Sequence, residues 1–152
     1  MSGRTLSDSL RATAARLPDK PAVITDDRTL SYRKLDEGAD RVAAWVAANG
    51  VKRGDRVAVE LPNSADAALA ILGVLRSGAA ISLISPAIKR DKLAYILDDS
   101  GAKALICDEE RAETARAAAA GGPVVALAAD REPFEHEGEP PPPPLSVDLG
   151  AV

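Results

Sequence analysis

Cys107 and His136 are the single cysteine and the single histidine of this chain, and so its first candidates for nucleophilic or acid–base chemistry. A reactive thiolate needs cationic neighbours, but Asp108, Glu109 and Glu110 follow Cys107, which closes an apolar run. It is expected to be a small buried hydrophobe. His136 lies in an acidic, proline-rich stretch with no Ser or Cys nucleophile beside it. General acid–base work requires a held geometry, so a solvated loop histidine is expected. The two together cannot supply the roughly four ligands of a structural zinc site. One cysteine also rules out an internal disulfide, and the chain reads as cytoplasmic.

The paired acids Asp26/Asp27, Asp98/Asp99 and Glu109/Glu110 are adjacent in sequence and fall at turns or helix ends. Adjacent residues do not share a helix face, so these are expected to be solvated charges. Lys89, Arg90 and Lys92 could form an anion site, although such runs usually make a solvated helix face. The turn at 61–64 offers backbone N–H groups at a helix start. It lacks the glycines that let a backbone wrap a phosphate, and neither G-x-G-x-x-G nor G-x-x-x-x-G-K-[ST] occurs in the chain. No catalytic, cofactor-binding or metal-ligating residue is therefore assigned.

The elements that would position any site alternate along the chain. Leu6, Leu10, Ala14 and Leu17 mark one face of a helix that Pro18 helps to stop. Residues 22–25 and 29–31 read as a hairpin around Asp26-Asp27-Arg28. Ser31 is a candidate N-cap for a long helix with Leu35, Ala39, Val42 and Val46 on its core face, ended by Asn49-Gly50. A strand at 56–61 and an apolar helix at 65–77 follow. Strands at 80–84, 104–107 and 124–128 alternate with helices at 89–99 and 109–120. Strands separated by helices predict an α/β fold: a largely parallel sheet with flanking helices.

The 152 residues fit about one domain of roughly 100–200 residues. A net charge of −4 argues against nucleic-acid binding. No apolar run approaches the ~18 residues of a membrane helix, and the residues after Met1 form no apolar signal segment. Residues 1–129 are expected to form the domain. Asp130–Ser146, with Glu132, Glu135, Glu137, Glu139 and Pro140–Pro144, is expected to be an extended solvated linker. Val147–Val152 then reads as the entry to a strand, as though the chain were truncated there.

The order of several short motifs is more informative than any one of them. Thr29-Leu30-Ser31-Tyr32-Arg33-Lys34-Leu35 is followed by Gly50-Val51-Lys52-Arg53-Gly54-Asp55-Arg56-Val57 and Leu61-Pro62-Asn63-Ser64. Gly73-Val74-Leu75-Arg76-Ser77-Gly78, Ile84-Ser85-Pro86 and Leu93-Ala94-Tyr95-Ile96-Leu97-Asp98-Asp99-Ser100-Gly101-Ala102-Lys103 complete the series. In this order they resemble the N-terminal part of the AMP-forming adenylating enzymes, the superfamily of acyl-CoA synthetases, peptide-synthetase adenylation domains and luciferases. Acyl- or aryl-CoA synthetases look like the nearest branch. Two departures stand out: Lys34 occupies a commonly acidic place, and Ile81–Ser85 lacks the family's frequent aromatic and second proline.

The resemblance implies a complete enzyme that condenses a carboxylate with ATP and passes the acyl group to CoA, with Mg²⁺ neutralising phosphates. It also implies that the phosphate loop lies beyond Val152, so that this chain holds no ATP, Mg²⁺ or CoA ligand and is inactive alone. The alternatives are a non-catalytic interaction module, one part of a split synthetase, or an unrelated small ligand-binding domain. In the resembled family the helix at 65–77 lies between two sheets. One side of it is therefore expected to be open here, with Leu69 and Leu72 in a patch that self-associates or binds the remainder of a synthetase.

Overall fold

The computed structural model describes residues 4–142 and 144; the strand expected at 147–152 lies outside them. Helix α1 (Leu6–Arg16) begins with a capping box: the Thr5 hydroxyl accepts from the Asp8 N–H, and the Asp8 carboxylate accepts from the Thr5 N–H. The hairpin β1 (Pro21–Ile24) and β2 (Thr29–Ser31) is antiparallel and forms a sheet of its own. Helix α2 (Tyr32–Ala48) starts where Ser31 accepts from the Lys34 N–H at 3.3 Å. This cap is one-sided, because Lys34 cannot return the bond as an acidic residue would. Gly50, at φ 79°, supplies the left-handed turn after α2.

The remaining elements build the main sheet. These are β3 (Arg56–Glu60), α3 (Ala65–Arg76), β4 (Ala80–Leu83), α4 (Arg90–Ser100), β5 (Ala104–Cys107), α5 (Ala112–Ala119), β6 (Ala126–Ala128) and α6 (Glu132–Glu135). The four strands run parallel in the order β4-β3-β5-β6, as the alternation predicts. Strand pleating divides the core. Val57, Val59, Ala104 and Ile106 face α2 and α3, while Ala58, Leu105 and Cys107 face Leu93 and Leu97 of α4 and Ala115 and Ala118 of α5. A helix–sheet–helix sandwich results, with both sheet faces covered.

Two details correct the sequence reading. The helix expected from Glu109 starts as a single 3-10 turn, Glu109–Arg111, before α5 proper. The segment from Asp130, expected to be extended with little to bury, instead forms α6, whose Phe134 is buried in the core with α2 and α3. Pro133 is buried beside it, where a missing N–H costs a helix start nothing. A large aromatic surface outweighs the solvating tendency of the surrounding acids.

Helices α2 and α3 cross at glycine. A Cβ on Gly73 would come within 2.9 Å of the Ala39 carbonyl oxygen and closer still to the Val42 side chain. One on Gly38 would press chiefly on a Leu69 methyl, the far end of a side chain that can move. Both glycines are within helices, so the helix-propensity gain of alanine is common to both. Gly73→Ala is expected to be less stable than Gly38→Ala by about 1–3 kcal/mol in denaturant titrations, the scale of overpacking against a backbone that cannot yield. Equal stabilities would contradict this account of the crossing.

Candidate functional site

In open parallel sheets, ligands gather beyond the carboxyl ends of the strands, where the strand order reverses. Here β3 leads to β4 on one side and β5 leads to β6 on the other, so the reversal lies between β3 and β5. Their last residues, Glu60 and Cys107, are register partners. Two clefts open at this end. A groove of about 410 Å³ is lined by Val59, Leu61, Ala67, Ile71, Leu83 and Pro86 among others. A smaller cleft of about 210 Å³ is lined by Leu61, Asp66, Cys107, Asp108, Arg131 and Phe134 among others.

Glu60, Asp66 and Asp108, at and just beyond the strand ends, are each held by a nearby partner. Glu60 is fully buried, and its Oε1 accepts from Arg111 Nε and Nη2 at 3.2 and 2.7 Å. Arg111 also donates to the Ile88 carbonyl oxygen at 2.8 Å, so one guanidinium joins β3 to the loop before α4. Asp108 accepts from the Arg111 backbone N–H and starts the 3-10 turn. Asp66, in the first turn of α3, pairs with both Arg28 and Arg131. Its carboxylate also places negative charge at the α3 N-terminus, where an anion would otherwise be favoured. Ser64 takes the Ala67 N–H at 3.1 Å, which removes one of the free amides.

Cys107 is buried, and desolvation, with the Glu60 and Asp108 carboxylates nearby, pushes its thiol up to about 12. That is the opposite of an activated nucleophile. His136 is half-buried just after α6. The other charges singled out in the sequence do local work. The Asp27 carboxylate accepts from the Thr25 hydroxyl at 2.7 Å, which holds it below the usual carboxylate range. Asp98 and Asp99 are exposed in the last turn of α4, and Glu109 and Glu110 are exposed in the 3-10 turn. Lys89, Arg90 and Lys92 are exposed, with Arg90 held by Asp91 next to it. Among the described residues, no group of three or more His, Cys, Asp or Glu could hold a metal ion.

The apolar helix α3 does leave one side open, but not where Leu69 lies. Leu69 is buried against Gly38 of α2, and Leu72 is half-buried against the same core. The open side carries Ala67 and Ile71, beside Leu83, which is 65% exposed at the end of the edge strand β4. The helical period alone does not say which flank a neighbouring helix will take. The Glu60–Arg111 pair could not be read from the sequence, because its partners are far apart in the chain.

A family model described as AMP-binding enzyme matches residues 10–148. Surfactin synthase subunit 3 of Bacillus subtilis (strain 168) is 40% identical over 98 residues, which are 64% of this chain and 8% of that protein. The structure of a benzoate CoA ligase from Burkholderia xenovorans LB400 superposes with a TM-score of 0.84 at 19% identity, over 95% of this chain and 30% of that one. The N-terminal domain of FACL13 from Mycobacterium tuberculosis gives 0.80 at 26% identity, over 91% of this chain and 38% of that one. The chain thus spans well under half the length of each of these proteins. No helix among the described residues is long and apolar enough to cross a membrane.

The state of Cys107 can be checked directly. Folding raises its pKa from 9.0 to about 12, so the neutral buried thiol contributes stability that is fully present below pH 9.0 and lost as pH rises towards 12. A thiol-specific reagent at mildly alkaline pH should react slowly with the native chain and rapidly once denaturant is added. Equal rates would mean that Cys107 is open to solvent.

Proposed function

The chain belongs to the AMP-binding enzyme family, and we propose that it builds the N-terminal scaffold of an AMP-forming acyl-CoA synthetase, inactive without the segments that carry the phosphate loop. In the complete reaction a carboxylate oxygen attacks the α-phosphorus of ATP and displaces pyrophosphate, leaving an acyl-adenylate. The CoA thiol then attacks the acyl carbon, and AMP departs.

What carries this reading is the engagement of Glu60, Asp66 and Asp108, the three carboxylates set into the strand ends and the first turns that follow them. Phosphoryl-transfer sites work through backbone amides, Lys and Mg²⁺ aimed at the phosphates. Here Glu60, Asp66 and Asp108 are turned to Arg111, to Arg28 and Arg131, and to a helical cap. These residues do not fit a metal–nucleotide site, so none is assigned to ATP, Mg²⁺ or CoA. The order of the sequence motifs is what favours the acyl-CoA branch, and the fold shared with a benzoate CoA ligase is compatible with it. The identity to Surfactin synthase subunit 3, and to a dimodular nonribosomal peptide synthase of the same organism, favours a second reading, the equivalent scaffold of a peptide-synthetase adenylation domain. Both share the adenylating step.

The groove between α3 and β4 is the surface such a scaffold would offer to the rest of the synthetase. It joins an exposed strand edge to the apolar side chains of Ile71 and Leu83, a combination that marks an interaction surface or an association liability. The purified chain is expected to show no acid-dependent exchange of pyrophosphate into ATP; reproducible exchange, free of contaminating synthetase, would overturn the scaffold reading. Alone, the chain should self-associate with rising concentration in sedimentation velocity. Leu83→Asp, at an exposed position, should reduce that association with the circular dichroism unchanged. A wild type that stays monomeric at all concentrations would remove the groove's proposed role.

A further inference from the structure

A third cleft, of about 310 Å³, lies between α2, the β1–β2 hairpin, α3 and α6, across Arg131 and Phe134 from the smaller cleft at the strand ends. Its size is within the roughly 300–1,000 Å³ of small-ligand pockets. Four cations line it, Arg28, Lys34, Arg41 and Arg131, with Glu37 as the one lining carboxylate. This concentration stands out in a chain of net charge −4. Like charges gathered in one concavity repel each other and focus a positive potential on whatever enters it.

Three observations indicate what the cleft would take. Asp66 pairs with both Arg28 and Arg131 and so holds two planar donor forks side by side at one end. Those forks are the donor geometry that suits phosphate oxygens. Lys34 and Arg41, about two turns apart on one face of α2, have exposed side chains without an ion pair among the described residues. The first turn of α2 carries no acidic residue, so its dipole adds to the same potential. Its leading amides are not available: Tyr32 and Arg33 N–H donate to the Lys20 and Pro18 carbonyls. An occupant must therefore be held by side chains.

We propose that the cleft lined by Arg28, Lys34, Arg41 and Arg131 is a binding site for a phosphate-bearing small molecule, with Arg28 and Arg131 as the forked ligands and Lys34 and Arg41 closing the α2 side. The proposal is independent of the adenylation reading, because none of these residues is placed in that chemistry.

Titration calorimetry of the full chain with inorganic phosphate, against chloride at matched ionic strength, tests it. The wild type should bind phosphate saturably. The double variant Lys34→Gln/Arg41→Gln, altered only at exposed positions, should bind it roughly tenfold or more weakly, the scale of losing a charge-assisted contact. Glu37→Gln should bind it more tightly, a gain that misfolding could not produce. A non-saturating response equal to that of chloride would overturn the site, as would unchanged affinity in all variants. Binding of poly-glutamate without binding of phosphate would make the cleft a protein-docking surface and would equally overturn the proposal.

Discussion

Arg76 holds together the helical layer on which the sheet is built. It ends α3 almost wholly buried, and its guanidinium donates to Asp36 and Asp40 of α2, to the Asp36 carbonyl oxygen and to the Ser7 hydroxyl of α1. A charge taken out of water is tolerated only where such partners replace its hydration, and removing one partner of a buried pair typically loses about 3–5 kcal/mol. Arg76 therefore does more than attract. It admits one relative placement of three helices, because any other would leave a desolvated guanidinium unpaired. The close approach at Gly73 belongs to the same constraint: the apolar contact lets α3 descend onto α2, and the polar network fixes where along α2 it stops.

The opposite face of the sheet repeats this logic with Glu60 and Arg111. Strand β3 lies in the middle of the sheet, so a carboxylate at its end is covered on both faces. One oxygen is satisfied by Arg111, while the other, Oε2, is buried without a partner. The arrangement ties the β4–α4 loop and the turn before α5 to the strand that both must flank. Together the two arginines fix the helices on either side of one sheet.

Much of this was legible in the sequence, for local reasons. Glycines and prolines punctuate the chain at almost every junction, Ser31 and Ser64 cap the helices they precede, and short apolar strands between helices imply parallel pairing. What escaped has a common cause in non-local partners. Nothing local marks Glu60 as buried, because the guanidinium that makes its burial possible, that of Arg111, lies far along the chain. The apolar girdle of α3 predicts coverage without saying which side Gly38 will receive, so the sequence alone does not distinguish Leu69, on the buried face, from Ile71, on the open one. Among local signals, the spacing of Thr5 and Asp8 was available and marks a capping box.

The unexpected helix α6 follows from the same network. A helix this short cannot hold itself, because one turn fixes several dihedrals for almost no internal bonding. Its stability is borrowed from tertiary contacts: Phe134 is buried between α2 and α3, Arg131 lies over its ring at 5.1 Å from the centroid, and Arg131 pairs with Asp66. Asp66 is on α3, whose position Arg76 has already set. Arg131 and Phe134 then line both the cleft at the strand ends and the cationic cleft beside α2, so α6 is the wall between them. The acidic, proline-rich composition of this stretch describes its solvent side; a single phenylalanine decides its fold. The basic cleft thus exists only while α6 is docked, and its four cations are gathered by packing rather than by proximity in sequence.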